Sequence, residues 1–342
     1  MRSHASASAP GKLFLFGEYS VLAGGWSLVA AVDRRARARV SVDDTGYLAT
    51  GGDIEMTDDR LPTAVTETIE ATYGEAPRPG QITTDITPFY EGDAKLGLGS
   101  SAASVAAITS AALQFNVQPT QDMGREVFNI AFAAHREFQG GQGSCADVAA
   151  SCFGGLLAYR LTRPDPRFSQ LDVPAPDHRS ERLPEASIAK LEWPDALSVR
   201  AVWLGKPAKS VDFIDRLMDA TDRSLHTTQA LLGELARAGD EAFRCLLTDD
   251  VDKLLSLVDR ADGGLEHLGH HIGAPIVIDA HRELRDVAKD YGLRCKPSGA
   301  GGGDFSLVFG PSQADWDGFE ASLGDTVVLD LDDMAVPGVR KE

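Results

Sequence analysis

A glycine-rich stretch that runs directly into a series of small residues constrains this chain more than any other feature. The stretch is Gly97-Leu98-Gly99-Ser100-Ser101, and the residues from 102 to 113 contain neither proline nor glycine. Such a composition favours a helix, so the sequence predicts a helix that begins at the glycines. Glycines let the backbone approach a ligand closely, and the free amides and aligned dipoles of a helix start attract an anion. A polyphosphate fits this chemistry.

Three interpretations of this stretch can be compared: a phosphate or magnesium site, a dinucleotide-binding loop and a capped helix. Ser100 and Ser101 carry hydroxyl groups that can bond phosphate oxygens or a magnesium ion, which prefers oxygen ligands. The same letters satisfy G-x-G-x-x-A, but a dinucleotide-binding fold needs a buried strand just before the first glycine, and residues 90–95 are too polar for one. No G-x-x-x-x-G-K-[ST] string occurs. A serine-capped helix after a glycine turn is the purely structural alternative.

Other segments carry features that also suit a ligand site. Residues 298–304 place four glycines in five positions, and ordering each glycine costs about 1 kcal/mol relative to alanine. A compact loop under a ligand explains that cost better than a hairpin turn does. Lys12 follows Pro10-Gly11 among apolar residues, and it is either a strand-end residue that reaches solvent or an internal cation. Asp147 is a helix-capping acid unless Lys12 lies beside it.

Apolar periodicity predicts how the rest of the chain is organised. Alternating or continuous apolar runs predict strands at residues 12–16, 27–32, 36–42, 81–89, 156–160, 197–204, 305–309 and 326–331. Helical spacing predicts helices at 61–73, 124–138, from 146, and at 211–218, 224–237, 251–268 and 278–291. Residues 162–193 are rich in proline and charge, which predicts a long loop or a domain boundary. The order of strands and helices lacks regular alternation and predicts an α+β protein with domains 1–190 and 191–342.

Composition excludes several classes of partner. The chain has 33 Lys+Arg against 51 Asp+Glu, a formal charge of −18, which disfavours nucleic acids and anionic membranes. No apolar run reaches about 18 residues, and residues 1–9 lack the apolar core of a signal peptide, so we expect a cytoplasmic protein. The cysteines show no zinc or redox spacing and are expected to be free, mostly buried thiols. The histidines at 267, 270 and 271 lack a further ligand and are expected to be structural or exposed.

Taken together, three segments resemble the motifs of the GHMP kinase superfamily and follow the family's order. They are residues 10–18, which include Pro10-Gly11-Lys12, residues 97–103, and residues 298–303. Within the superfamily, Gly17-Glu18-Tyr19 and residues 296–304 are similar to the phosphomevalonate kinases, whereas mevalonate kinases usually have histidine in place of Tyr19. Residues 205–210 depart from that group, which tends to carry Ser-Thr at or near Ala208-Lys209.

The resemblance implies a fold and an activity. It implies an N-terminal domain like domain 2 of ribosomal protein S5 and a ferredoxin-like C-terminal domain, with nucleotide and acceptor in the cleft between them. The implied activity is transfer of a phosphoryl group from ATP, with Mg²⁺, to phosphomevalonate. A mevalonate kinase that phosphorylates an alcohol and a catalytically silent relative that binds a nucleotide or a partner are the alternatives. The expected partners are small-molecule substrates, with no nucleic acid or membrane, for a monomer or homodimer.

The resemblance also implies roles for individual residues. Lys12 and Asp147 would be catalytic and face the acceptor oxygen, and Ser101 and Glu137 would hold the metal. ATP would be bound by Gly97, Leu98, Gly99, Ser100, Ser101 and Ala102. The acceptor would be bound by Lys12, Glu18, Tyr19, Ser144, Lys209, Ser298, Gly299, Ala300 and Gly301. If the acceptor carries a phosphate, local cations must offset the acidic chain, and Lys209 and Arg136 are the expected ones, ahead of others such as Lys296.

Overall fold

The structure is a computed structural model that describes residues 4–41, 48–49, 60–74, 81–116, 122–164, 166–168, 180–205, 210–332 and 336–342. Its strands are β1 His4–Phe16, β2 Ser27–Ser41, β3 Leu48–Ala49, β4 Gln81–Asp85, β5 Tyr90–Glu91, β6 Ala94–Lys95, β7 Leu156–Leu161, β8 Glu181–Arg182, β9 Ala186–Leu191, β10 Leu197–Trp203, β11 Arg294–Pro297, β12 Phe305–Pro311, β13 Val328–Asp330 and β14 Arg340–Lys341. Its helices are α1 Arg60–Tyr73, α2 Ser100–Asn116, α3 Met123–Phe138, α4 Ala146–Phe153, α5 Ser210–Arg223, α6 Leu225–Thr248, α7 Val251–Ile272, α8 Asp279–Asp290 and α9 Trp316–Ser322. None of these helices combines the length and the apolar character needed to cross a bilayer. The predicted α+β class is confirmed.

The chain forms two compact units, and each draws on separate stretches of sequence. Unit 1 comprises Met1–Leu13, Ala30–Gly155 and Ala335–Glu342, and unit 2 comprises Phe14–Val29 and Leu156–Met334. The limits between the units therefore fall inside β1 and β2 and directly before β7. The predicted boundary between residues 190 and 191 lies within unit 2 and stays a prediction.

Unit 1 is built around α2. This helix contacts α1, α3 and α4, and its small side chains are buried on nearly every face, with Ala102, Val105 and Ile108 fully enclosed. A helix that neighbours surround needs small residues, which is why residues 102–113 carry so many alanines. The predicted helix start at the glycines is confirmed, because α2 begins at Ser100.

The last described residues belong to the sheet of unit 1. β14 pairs antiparallel with β1 at Ser8 and Arg340. The buried guanidinium of Arg35 donates hydrogen bonds to the carbonyl oxygens of Pro337 and Gly338, both at 2.8 Å, and to that of Ser8 at 3.1 Å. Residues 336–342 are thus tied to β1 both by strand pairing and by Arg35.

Unit 2 contains a four-stranded antiparallel sheet in the order β11-β12-β10-β13. One apolar cluster joins this sheet to α8 and α9 through residues such as Val202, Leu284 and Phe319. A second cluster joins α5, α6 and α7 to Tyr19 and Ile276. The cysteines of the chain are free and buried, as predicted.

Two predicted elements of secondary structure were wrong in part. Residues 162–193 are not one long loop, because β9 pairs antiparallel with β7 at Tyr159 and Ile188, and β8 pairs with β9; residues 169–179 lie outside the described residues. The short apolar alternation of β9 was not recognised as a strand because many prolines lie nearby. The strand predicted at 81–89 ends at Asp85 and continues as a 3-10 turn, Thr87–Phe89, since proline at position 88 cannot donate to a strand ladder.

Candidate functional site

In unit 1, Lys12 lies directly against the glycines that precede α2. The Lys12 backbone N–H donates to the carbonyl oxygen of Leu98 at 2.8 Å. A Cβ atom at Gly99 would lie 3.1 Å from both Cγ and Cε of Lys12, so the lysine side chain runs across the face of that glycine. The sequence motif that contains Lys12 and the motif that starts at Gly97 therefore meet, as the predicted site requires.

The backbone at this point is shaped to expose a helix start. Gly97 and Gly99 have φ values of +78° and +77°, which non-glycine residues rarely adopt. They allow the chain to turn sharply into α2, whose first residue, Ser100, is buried while Ser101 is half-buried. The first amides of a 17-residue helix and the side chain of Lys12 thus lie side by side. This combination favours a multiply charged anion.

His135 on α3 is a contact of Ser101 that the sequence motifs do not indicate. Its side chain is fully buried, with Nε2 3.3 Å from Oγ of Ser101 and Nδ1 4.0 Å from Sγ of Cys145. Burial lowers the pKa of His135, and the charge of Asp147 acts in the opposite direction. A buried, neutral imidazole therefore links the start of α2 to the start of α4.

Asp147 occupies the first turn of α4 and is half-buried. The turn is entered through Cys145, which has a φ of +55°, and the Ser144 hydroxyl oxygen accepts a hydrogen bond from the Ala146 amide at 3.3 Å. Farther along α4, Ser151 Oγ donates to the carbonyl oxygen of Pro10 at 2.8 Å. Asp147 and Ser151 are four residues apart and share a helix face, so Asp147 lies on the face of α4 that contacts β1 at Pro10.

The two predicted metal ligands are not brought together. Glu137 is exposed and is separated from His135 by two residues, which is about 200° around α3, whereas His135 faces Ser101. Among the described residues, no group of three or more His, Cys, Asp or Glu side chains forms a metal cluster. Ser101, at the helix start, is the better placed of the two predicted ligands.

In unit 2, the glycine segment 298–304 follows an unusual backbone path. Gly299, Gly301 and Gly302 have φ values of +71°, +73° and +75°, and the segment ends at Asp304 with a φ of +53°. Ser298 anchors the first residue of the segment to Phe14. Its hydroxyl accepts a hydrogen bond from the Phe14 amide at 3.1 Å and donates one to the Phe14 carbonyl oxygen at 2.9 Å. These residues form the loop of the β11–β12 hairpin, because Pro297 pairs antiparallel with Ser306 and the Ser298 N–H donates to the carbonyl oxygen of Phe305 at 2.9 Å. The prediction of a compact loop in place of a hairpin turn was therefore wrong in part.

Glu18 and Tyr19 are enclosed within unit 2 and bound to partners there. A Glu18 carboxylate oxygen lies 2.5 Å from Nζ of Lys296, and neither side chain exposes more than 2% of its surface. The Tyr19 hydroxyl donates to the carbonyl oxygen of Ala300 at 2.5 Å. Their placement favours a role in holding the glycine segment over direct contact with an acceptor.

The expected local cations have different placements. Lys209 lies outside the described residues. Arg136 is half-buried and donates to the carbonyl oxygen of Gly141 at 3.0 Å. Lys296, grouped by sequence with the weaker candidates, has no exposed surface. Its strand, Arg294-Cys295-Lys296-Pro297, shows no apolar pattern that would have indicated an internal cation.

Comparison with known proteins agrees with this geometry. Residues 61–155, which include most of α1 and all of α2, α3 and α4, match the family described as GHMP kinases N terminal domain. The chain is 29% identical to a phosphomevalonate kinase from Streptomyces sp. (strain CL190), over 90% of both chains. It is 24% identical to a phosphomevalonate kinase from Saccharolobus solfataricus, over 89% of both.

The fold is shared with a solved structure. Streptococcus pneumoniae phosphomevalonate kinase in complex with phosphomevalonate and AMPPNP superposes with a TM-score of 0.77, at 20% identity, over 98% of this chain and 99% of that one. Residues 61–155 thus match the GHMP kinase N-terminal domain, and the chain is similar to phosphomevalonate kinases along nearly its whole length.

Proposed function

We propose that this chain transfers the γ-phosphoryl group of ATP to phosphomevalonate, giving diphosphomevalonate. The observation that carries the proposal is the contact between Lys12 and the glycines at the start of α2, because it joins a fixed ammonium group to a helix start that binds polyphosphates. The phosphomevalonate kinases that align with about 90% of the chain support the choice of acceptor.

The residues of unit 1 supply what phosphoryl transfer requires of a protein, which is positioning and neutralisation of charge. The amides at the start of α2 hold the phosphates of ATP, and Lys12 neutralises charge where the γ-phosphoryl group is transferred. A phosphomonoester has a second pKa of about 6 and is largely ionised at neutral pH. The acceptor then attacks as an anion, so Asp147 orients neighbouring groups more than it removes a proton.

A magnesium ion fits the start of α2 through Ser101. Mg²⁺ usually keeps several water molecules and is held by one or two protein oxygens together with phosphates, so a half-buried hydroxyl at the phosphate-binding turn suits it. When bound, the ion neutralises charge on the phosphate oxygens. Glu137 faces away from Ser101 and does not complete this site.

We also propose the setting in which the enzyme works. Its partners are the two small-molecule substrates, it acts in the cytoplasm, and it is a monomer or a homodimer. The net charge of −18 supports the absence of nucleic-acid and anionic-membrane partners, because both repel an acidic surface.

An assay of ADP release tests the acceptor. With ATP and Mg²⁺ present, mevalonate, phosphomevalonate, homoserine and galactose are offered in parallel. We expect turnover with phosphomevalonate alone, and loss of that turnover in Lys12→Met. Turnover with mevalonate alone would show that the proposed acceptor is wrong, while transfer of a phosphoryl group from ATP would still be supported. ATP-dependent phosphorylation of none of the four would contradict the proposed function.

A further inference from the structure

His135 lies between the starts of two helices of unit 1, and each of its ring nitrogens has a neighbour there. Nε2 lies 3.3 Å from Oγ of Ser101, in the first turn of α2, and Nδ1 lies 4.0 Å from Sγ of Cys145, at the start of α4. The ring has no exposed surface, which disfavours a charged imidazole. A neutral imidazole carries one ring N–H, so one nitrogen donates and the other accepts.

The neighbours of Nδ1 decide which nitrogen carries that hydrogen. The thiol of Cys145 has a single hydrogen and donates it to the carbonyl oxygen of Phe132 at 3.9 Å, so the sulfur is left to accept from Nδ1. Burial lowers the pKa of His135 and raises that of Cys145, and in both groups the charge of Asp147 is the next cause. This carboxylate belongs to the start of α4, which Nδ1 faces, and it attracts the hydrogen to Nδ1 as well.

This tautomer determines what the Ser101 hydroxyl can bind. Without a hydrogen, Nε2 accepts, and the hydroxyl of Ser101 donates to it. The hydrogen of the hydroxyl is then used, and the remaining lone pairs of Oγ can only accept. A phosphate oxygen also only accepts, whereas a divalent cation binds oxygen lone pairs. Of the two ligands that the sequence allows for Ser101, the contact with His135 therefore selects the cation.

We propose that His135 is a positioning residue for a divalent cation, because its Nδ1–H tautomer takes up the Ser101 hydroxyl hydrogen and leaves the lone pairs of Oγ for the ion. This inference rests on the proposed function, which supplies the nucleotide that the ion accompanies. Without phosphates, the amides at the start of α2 and the ammonium group of Lys12 disfavour a cation. The ion therefore binds Ser101 only together with the nucleotide, and His135 acts through Ser101.

The tautomer is measured on the full chain without substrates. Histidine labelled with ¹⁵N gives separate signals for ring nitrogens with and without a hydrogen, and the signals that disappear in His135→Phe belong to His135. This variant keeps an aromatic ring in the buried space, and His135→Gln gives the same assignment where the phenylalanine variant does not fold. We expect Nδ1 of His135 to carry the hydrogen and Nε2 to lack it.

Binding of Mn²⁺, a paramagnetic probe that replaces Mg²⁺, tests the effect on the cation. Electron paramagnetic resonance measures its Kd at saturating ADP. Groups that orient a metal ligand typically change metal affinity about 10–100-fold, and we expect His135→Phe to raise this Kd about tenfold. The Kd of ADP without metal should stay within about twofold, because the amides and Lys12 do not depend on the hydroxyl.

Two further variants separate positioning from a general structural role. His271→Phe is the matched control and should match the wild type, because Nε2 of His271 lies 2.9 Å from Oγ1 of Thr228, a hydroxyl–imidazole contact of unit 2. With Ser101→Ala already present, His135→Phe should not weaken Mn²⁺ binding further, since the oxygen that His135 orients is missing. Thermal melting by circular dichroism confirms that each variant is folded.

Three results overturn the inference. A wild-type His135 with its hydrogen on Nε2, or on both nitrogens, leaves the Ser101 hydroxyl free to donate to a phosphate oxygen. An unchanged Kd for Mn²⁺ in His135→Phe shows that the direction of the hydroxyl does not serve a cation. Additive losses in Ser101→Ala and His135→Phe show that His135 does not act through Ser101. If the wild type fails to turn over phosphomevalonate while Mn²⁺ binding with ADP still depends on His135, the proposed function falls and this inference is supported.

Discussion

Lys296 shows how a single side chain can organise its surroundings. Its ammonium group has no exposed surface and bonds both to Glu18 and, at 2.6 Å, to the carbonyl oxygen of Pro297. It also lies 5.7 Å from the ring centre of Phe16. Removing one member of such a buried pair leaves an uncompensated charge and typically costs about 3–5 kcal/mol. The pair therefore locks the start of the glycine segment to the segment that carries Glu18.

Lys12 and Asp147 should differ in their importance if the acceptor is a phosphate. We expect Lys12→Met to lower kcat roughly 100-fold or more, because it removes the fixed cation from the site of transfer. Asp147→Asn should lower kcat less than about tenfold, since an ionised acceptor needs little help from a general base. Steady-state kinetics with ATP and phosphomevalonate measures both losses.

The losses of kcat in the two variants can be compared only if both variants remain folded, and their melting temperatures test this. Losses of similar size in the two variants would indicate that Asp147 removes a proton. Such a result would favour an alcohol acceptor and contradict the mechanism derived for a phosphate.

His281 should make the stability of the protein depend on pH. Burial, together with the charge of Lys296, lowers its pKa to about 3, whereas an unfolded histidine has a pKa near 6.5. The unfolded chain therefore takes up a proton that the folded chain refuses, and the free energy of unfolding falls as the pH drops from about 6.5 towards about 3. At pH 5 this single group removes about 2 kcal/mol.

His281→Asn keeps a hydrogen-bond acceptor for the Ile278 amide, which lies 3.2 Å from Nδ1 of His281, and removes the titration. Urea unfolding at pH 7.5 and pH 5 should show a smaller loss of stability in this variant than in the wild type. The exposed residue His226 provides the control His226→Asn, which is expected to follow the wild type. An unchanged pH dependence in His281→Asn would show that other groups dominate it.

The turn before α2 depends on glycine for two separate reasons. Gly99 has a φ of +77°, and a Cβ atom there would press on the Lys12 side chain at 3.1 Å. In the β5–β6 hairpin, Gly92 has a φ of +55° and no atom within 4 Å of such a Cβ. Alanine at either position bears the backbone strain of about 1–2 kcal/mol, and only at Gly99 does it also displace Lys12.

We therefore expect Gly99→Ala and Gly92→Ala to lower the free energy of unfolding by similar amounts. Only Gly99→Ala should lower kcat/KM for ATP, by roughly tenfold or more. Chemical denaturation and steady-state kinetics measure the two effects. Equal kinetic losses in the two variants would show that the turn matters only through stability.

The elements that the sequence predicted well are those with a local cause. The small residues of α2 and the apolar period of α3 fix helices without reference to the rest of the chain. β9 was missed because its few alternating residues gain stability only from pairing with β7. The bond from Tyr19 to Ala300 joins residues 281 positions apart, and no local pattern encodes it.

The site could be predicted to a similar extent. The three motifs located Lys12, the glycines before α2 and the segment 298–304 because each has a distinctive composition. No local sequence pattern indicated His135 as a site residue, because a histidine within a helix is most often structural. Its approach to Ser101 depends on how α3 contacts α2. Glu137 was chosen by spacing alone, and the helical period turns it away from Ser101.

At the level of the whole molecule, the sequence indicated two halves but not how the chain is shared between them. Composition changes along the chain suggested one division near residue 190. Unit 1 instead combines three stretches of the chain and unit 2 combines two. Long-range pairings such as Ser8 with Arg340 determine this sharing, and they are settled by tertiary contacts rather than by local composition.

The pairing of β14 with β1 has a consequence for biosynthesis. A ribosome delivers residues 4–16 long before residues 336–342, so β1 waits with an open edge while more than 300 intervening residues emerge. Unpaired strand edges invite association between nascent chains. Unit 1 therefore reaches its final form only after residues 336–342 have been synthesised, and a polypeptide released before them, without the carbonyl groups of Pro337 and Gly338 that Arg35 binds, would leave that strand edge unpaired.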